Sequence, residues 1–156
     1  MSKLILKKTD THVAIKIGNT TGVPVTETIT LNSDLLNSGK ESILGGAVPT
    51  VSIVNIQWTG VSGTTFSISR NSQVIFNGDV VGSSPMNFNE FAYVDNENST
   101  FNLVVTIDGT SKGQLYIGLR KQSGYTPFVE NATYGAYDDP TRVGASTTIL
   151  GSPDKV

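Results

Sequence analysis

Apolar residues in this chain recur at every second position in short blocks as far as Lys121, and nowhere with helical spacing. A period of two sends successive side chains to opposite faces of an extended backbone, which commits the chain to half-buried β-strands. Residues 100–108 place Phe101, Leu103, Val105 and Ile107 on one face, and residues 114–121 do the same with Leu115, Ile117 and Leu119, leaving Tyr116 and Arg120 opposite. Asp108-Gly-Thr-Ser-Lys-Gly113 has the residues of a hairpin loop, so the two blocks are expected to pair as an antiparallel hairpin with all seven apolar residues in one core.

Upstream, Val13, Ile15 and Ile17 alternate in one block, and Val25, Ile29 and Leu31 in the next; Pro24 suits the start of a strand or a sheet edge. Asn19-Thr-Thr-Gly22 reads as the turn between them. Residues 51–58 are almost continuously apolar, as in a central strand buried on both faces or one with a bulge. Gly60-Val-Ser-Gly63 reads as a hairpin turn, and Asn71-Ser72 joins two short strands, 66–70 and 73–76. With 4–8 and 88–94 the total is about nine strands. Between residues 32 and 48 the pattern fails: Asp34-Leu-Leu allows one helical turn capped by Asn32 or Ser33, and Gly39, Gly45 and Gly46 prevent a longer one. An all-β fold is the result, an antiparallel β-sandwich of jelly-roll type over residues 1–122, with a single curled barrel as the alternative.

After Lys121 the alternation stops. Residues 123–156 are rich in Gly, Ser, Thr and Pro, yet carry Tyr125, Phe128, Tyr134 and Tyr137. Disordered tails are poor in aromatics, whereas aromatic side chains anchor interfaces. This segment is therefore read as an extended C-terminal arm that lies on something else, with those four residues as its assembly contacts; a terminus fixed weakly to its own domain is the alternative.

Composition excludes several functions. Cysteine is absent, which removes disulfides, zinc–thiolate sites and thiol nucleophiles. Net charge is −2, and the only adjacent basic pairs, Lys7-Lys8 and Arg120-Lys121, read as solvated strand ends, so nucleic acid is not an expected partner. No apolar run is long enough for a signal peptide or a membrane span, and a protein made in a cytoplasm is expected.

Catalytic candidates are few. The single histidine, His12, falls on the outward side of its strand, and no Gly-x-Ser-x-Gly elbow accompanies it. The acidic pairs Asp95 with Glu97 and Asp138 with Asp139 lie in turn-like sequence, and the first lacks the ligand spacing of a calcium loop. Trp58, Tyr93 and Tyr116 could stack on a sugar ring, although a lone Trp on such a strand belongs more naturally to the core. The N-x-S/T triplets at Asn19, Asn98 and Asn131 are expected by chance in so Asn- and Thr-rich a chain. No enzyme activity, cofactor or metal is expected.

Four runs carry a family likeness: Val51-Ser-Ile-Val-Asn-Ile-Gln-Trp58, Phe66-Ser-Ile-Ser-Arg-Asn-Ser72, Val94-Asp-Asn-Glu-Asn-Ser99 and Leu115-Tyr-Ile-Gly-Leu-Arg-Lys-Gln-Ser-Gly-Tyr125. With the opening Leu6-Lys-Lys-Thr-Asp-Thr-His-Val13 they resemble small virion structural proteins of tailed phages, of the marine cyanophage type, over residues 3–125. The resemblance implies a role in assembly: a head decoration, or cement, protein bound to the major capsid protein or another virion protein. A head-fibre or tail-associated component and a glycan-binding module on the virion surface are the alternatives. It further implies a location in the virion after synthesis in the host bacterial cytoplasm. The neutral, polar surface and several open sheet edges point to a homo-oligomer, with a trimer favoured.

Overall fold

The computed structural model describes residues 2–80, 86–87, 99–108 and 112–128. Over them the chain is all-β: β1 (Ser2–Lys8), β2 (His12–Asn19), β3 (Val25–Ile29), β4 (Glu41–Ser42), β5 (Thr50–Gly60), β6 (Thr65–Arg70), β7 (Gln73–Asp79), β8 (Met86–Asn87), β9 (Leu103–Asp108), β10 (Gly113–Ser123) and β11 (Thr126–Pro127). Two main antiparallel sheets form, one in the order β1-β2-β10-β5-β8 and the other β3-β9-β6-β7, with a small β11-β4 ladder at one end. The inner faces of both sheets feed one core, in which Ile15, Ile17, Ile56 and Ile117 meet Ile29, Phe66, Ile68 and Leu103. Trp58 of β5 ties the sheets together at one side: its indole N–H donates to the Asp79 carbonyl of β7 at 2.9 Å, and its ring meets Phe76 edge-on.

The period-two blocks become strands as expected, but the pairing differs in an instructive way. β9 and β10 are not a hairpin: β9 pairs with β3 and β6, while β10 pairs with β2 and β5 in the other sheet. Their apolar faces look at each other across the core. An alternating strand with one apolar face satisfies its burial equally by edge pairing or by facing a second sheet, so periodicity cannot choose between them. The same holds at Gly60-Val-Ser-Gly63, which carries the chain from β5 in one sheet to β6 in the other. True hairpins are β1–β2 and β6–β7, the latter turning through Asn71 and Ser72 at φ 47° and 64°, the positive values a tight two-residue turn requires.

Phe101 is a correction. It precedes β9 and is 43% exposed, whereas Leu103, Val105, Ile107, Leu115, Ile117 and Leu119 are all buried. β5 carries the bulge that its unbroken apolar run suggested, where the register with β10 slips between Asn55 and Ile53, and residues 51–54 are all buried. β3 comes just after Pro24 and lies at a sheet edge. The single turn expected to open at Asp34 closes there instead. The Asp34 N–H donates to the Thr30 carbonyl at 2.9 Å, the i to i−4 bond of one helical turn, the Asp34 carboxylate accepts from the Thr30 N–H at 2.7 Å, and Leu31 and Leu35 are buried. The expected strand at 88–94 lies outside the described residues.

Candidate functional site

The most elaborate polar construction in the described residues lies at the end of the domain where β10 runs out. Lys121 and Glu41 are buried there, with side chains 3% and 1% exposed. The Lys121 ammonium donates to both Glu41 carboxylate oxygens at 2.5 and 2.7 Å and to the Thr9 carbonyl at 2.8 Å. All three of its protons are thereby matched to acceptors, the condition under which a buried charge is tolerated. The sequence reading of Arg120-Lys121 as a solvated strand end is therefore wrong for Lys121. Its β10 position points inward, and Glu41, within the stretch that had no pattern, is the partner that makes this possible.

Tyr125 closes the cluster. Gly124, at φ +87°, turns the chain so that the Tyr125 ring lies over the Lys121 ammonium, 4.8 Å from ring centroid to Nζ, and the hydroxyl donates to the Leu31 carbonyl at 2.8 Å. Burial pushes the Tyr125 hydroxyl well above the ordinary tyrosine pKa; the Glu41 carboxylate pushes it further the same way, and the Arg70 guanidinium opposes both. Beyond it β11 pairs with β4, Thr126 opposite Ser42 and Pro127 opposite Glu41, and the Phe128 N–H donates to the Lys40 carbonyl at 2.8 Å.

Arg70 is a second internal fastening. It is 1% exposed and projects from the inner face of β6. Its guanidinium donates from Nε to the Phe101 carbonyl, from Nη1 to the Val51 carbonyl and from Nη2 to the Ser99 carbonyl, at 2.9–3.1 Å. The chain entering β9 is thus held to β5 and β6 by a side chain together with one backbone bond, from the Val51 N–H to the Ser99 carbonyl at 3.3 Å.

The sequence-derived contacts of the arm divide. Tyr125 packs against the domain's own core, and Phe128 is 52% exposed at the rim of a groove of about 770 Å³ whose walls include Lys8, Asp10, Asn37 and Lys40. Tyr134 and Tyr137 lie outside the described residues, as do Tyr93, Asp95, Glu97, Asp138, Asp139, Asn98 and Asn131. His12 is half-buried at the start of β2, with Nδ1 3.0 Å from the Thr11 hydroxyl and Nε2 buried without a hydrogen-bond partner. Trp58 is buried in the core, and Tyr116 lies half-buried on the outer face of its sheet, its hydroxyl bonded to Gln114 and the Lys16 ammonium 5.7 Å from its ring centroid. Asn19 is buried, with its amide engaged by Val23 and Thr21.

Among the described residues no group of three or more His, Asp or Glu side chains is placed to hold a metal ion, and no helix is long and apolar enough to cross a membrane. The Glu41–Lys121–Tyr125 cluster was invisible to sequence reasoning because Glu41 is far from the other two in the chain. The one available signal was Gly124 followed by an aromatic directly after a strand, a sequence that turns a chain and puts a large side chain against the strand it has just left. No family model, curated protein or solved structure matches this chain.

Proposed function

We propose that the protein is a non-enzymatic virion structural protein, a head decoration component that binds the major capsid protein and stabilises the particle. In this reading the two-sheet domain is a jelly-roll-like sandwich and the segment beyond it an extended arm. The observation that carries the reading is the fastening at the end of β10: the buried Lys121–Glu41 pair, the Tyr125 hydroxyl on Leu31 and the β11–β4 ladder hold the root of the C-terminal segment at one point. An arm rooted so firmly is delivered to a defined place on a neighbour. Tethered contacts of this kind gain affinity from effective concentration rather than from size alone. The low charge of the chain, 15% Asp, Glu, Lys and Arg, suits a surface packed among like copies, and a trimer is the assembly we favour.

Gel-band stoichiometry of purified particles tests the assignment. A decoration protein is present at a copy number comparable to that of the major capsid protein. A faint band in intact particles would move the protein to a fibre or the tail, and absence from particles would remove the virion role altogether.

A further inference from the structure

We infer that Gly124–Phe128 is a strap that closes residues 30–49 over one end of the domain, strap and segment opening and closing as one unit while both main sheets stay folded. The inference stands on geometry within the domain and does not depend on a role in the particle. Residues 30–49 connect β3 in one sheet to β5 in the other, and neither main sheet takes them in as a strand. Among the described residues, every backbone-to-backbone hydrogen bond that leaves this connection goes to the strap. The β11–β4 ladder sets Thr126 opposite Ser42 and Pro127 opposite Glu41, and the Phe128 N–H reaches the Lys40 carbonyl at 2.8 Å. Gly124 packs so closely on the backbone of Val48 and Pro49 that a Cβ would lie 2.4 Å from the Pro49 Cα, and the Tyr125 hydroxyl donates to the Leu31 carbonyl at 2.8 Å. The strap thus touches the connection at its start, middle and end.

The remaining polar ties to the connection are side chains. Lys3 donates to the Asp34 carboxylate at 2.7 Å, Lys8 to the Leu36 carbonyl at 3.0 Å and Lys121 to Glu41, while the Asn102 side chain accepts from the Leu31 N–H at 3.0 Å. Long side chains follow a segment that lifts, and water solvates the lysine and carboxylate that opening exposes, which offsets the lost ion pair. Leu31, Leu35 and the partly buried Tyr125 are the apolar side chains that leave the core on opening, few beside those that the two sheets bury. A segment with few buried apolar contacts opens at lower free energy than the whole domain. The groove of about 770 Å³ takes Asn37 and Lys40 from the connection and Pro127 and Phe128 from the strap, so it exists only in the closed state.

Native-state hydrogen exchange of the full-length protein in low urea tests this. The Asp34, Glu41 and Phe128 amides donate within the closed unit, to the carbonyls of Thr30, Asn37 and Lys40. In the wild type they are expected to exchange through one shared opening, easier and less urea-dependent than the opening that exposes Ile15 and Ile117 on their paired strands. Phe128→Pro removes the N–H that reaches Lys40, and Tyr125→Phe the hydroxyl that reaches Leu31, and neither residue belongs to a strand of a main sheet. Each variant is expected to speed exchange at Asp34 and Glu41 by the same factor, about fivefold or more. Wild-type amides of Asp34, Glu41 and Phe128 that open with different urea dependences, or only together with Ile15 and Ile117, would overturn the inference. So would a variant in which Glu41 exchanges faster and Asp34 does not, or in which neither changes.

Discussion

Lys121 and Glu41, 80 residues apart in the chain, meet with both carboxylate oxygens within 2.7 Å of one ammonium nitrogen, in a site almost closed to water. Removing one partner from such a pair leaves the other charged and buried. Glu41→Gln or Lys121→Met is expected to cost about 3–5 kcal/mol, and the paired replacement Glu41→Leu with Lys121→Met less than either alone. Urea unfolding of the three variants measures this. Single-variant losses below about 1 kcal/mol, in the range of exposed ion pairs, would show that the site admits water.

Arg70 offers a second measurement. Methionine there keeps much of the bulk but removes the guanidinium donor from the carbonyls of Val51, Phe101 and Ser99, of which Ser99 keeps the Val51 N–H at 3.3 Å. An orphaned buried acceptor costs about 1–3 kcal/mol, and of the three only the Val51 carbonyl is bonded in a fully buried place, so Arg70→Met is expected to destabilise by about 1–3 kcal/mol. Hydrogen exchange at the Leu103 and Val51 amides is expected to accelerate more than at Ile15, which would mark the loss as local to the entry of β9.

Two glycines separate backbone constraint from side-chain crowding. A Cβ at Gly124 would lie 2.4 Å from the Pro49 Cα, on a residue at φ +87°. Neither the backbone nor the dihedral can yield cheaply, and Gly124→Ala is expected to cost more than about 1 kcal/mol and to loosen β11. At Gly118 the added atom would meet only the amide end of the exposed Asn55 side chain, at 2.7 Å, which can swing aside. Gly118→Ala is expected to stay within about 0.5 kcal/mol of wild type. Equal costs at the two sites in thermal unfolding would count against this account of the turn.

Alkaline titration probes Tyr125. Its hydroxyl pKa is raised in the folded chain, chiefly by burial and then by the Glu41 carboxylate. Folding therefore favours the protonated form. The contribution is full below the ordinary tyrosine value of about 10 and declines as pH rises above it, because there the unfolded chain releases a proton that the folded chain retains. Unfolding free energy is expected to fall with pH in that range, and Tyr125→Phe to flatten the fall. An unchanged slope in the variant would assign the effect to other groups.

Core truncations distinguish Leu103 and Ile117 from Phe101. The first two are buried in facing sheets, and alanine at either is expected to cost about 2–5 kcal/mol. Phe101, outside the core despite fitting the alternation, is expected to cost about 1 kcal/mol or less. Chemical denaturation of the three variants decides it, and a loss at Phe101 as large as at Leu103 would return that residue to the core.

Alternation of apolar residues was enough to determine an all-β chain, most strand positions and most of the core, because burying one face of a strand is a local requirement written at every second residue. Turn residues marked where strands end: Asn71-Ser72 closes a hairpin, as its position between two short strands suggests. What alternation leaves open is which strand lies beside which. β9 and β10 satisfy the same pattern by facing each other across the core as they would by pairing edge to edge, and only the packing of all the strands together decides. Buried charge belongs to the same class. Lys121, Glu41 and Arg70 look like surface residues in the sequence, since nothing local distinguishes a lysine in water from one whose three protons are met by Glu41 and Thr9. Their acceptors come from distant segments, and a charge can leave water only where the tertiary fold has already assembled its partners.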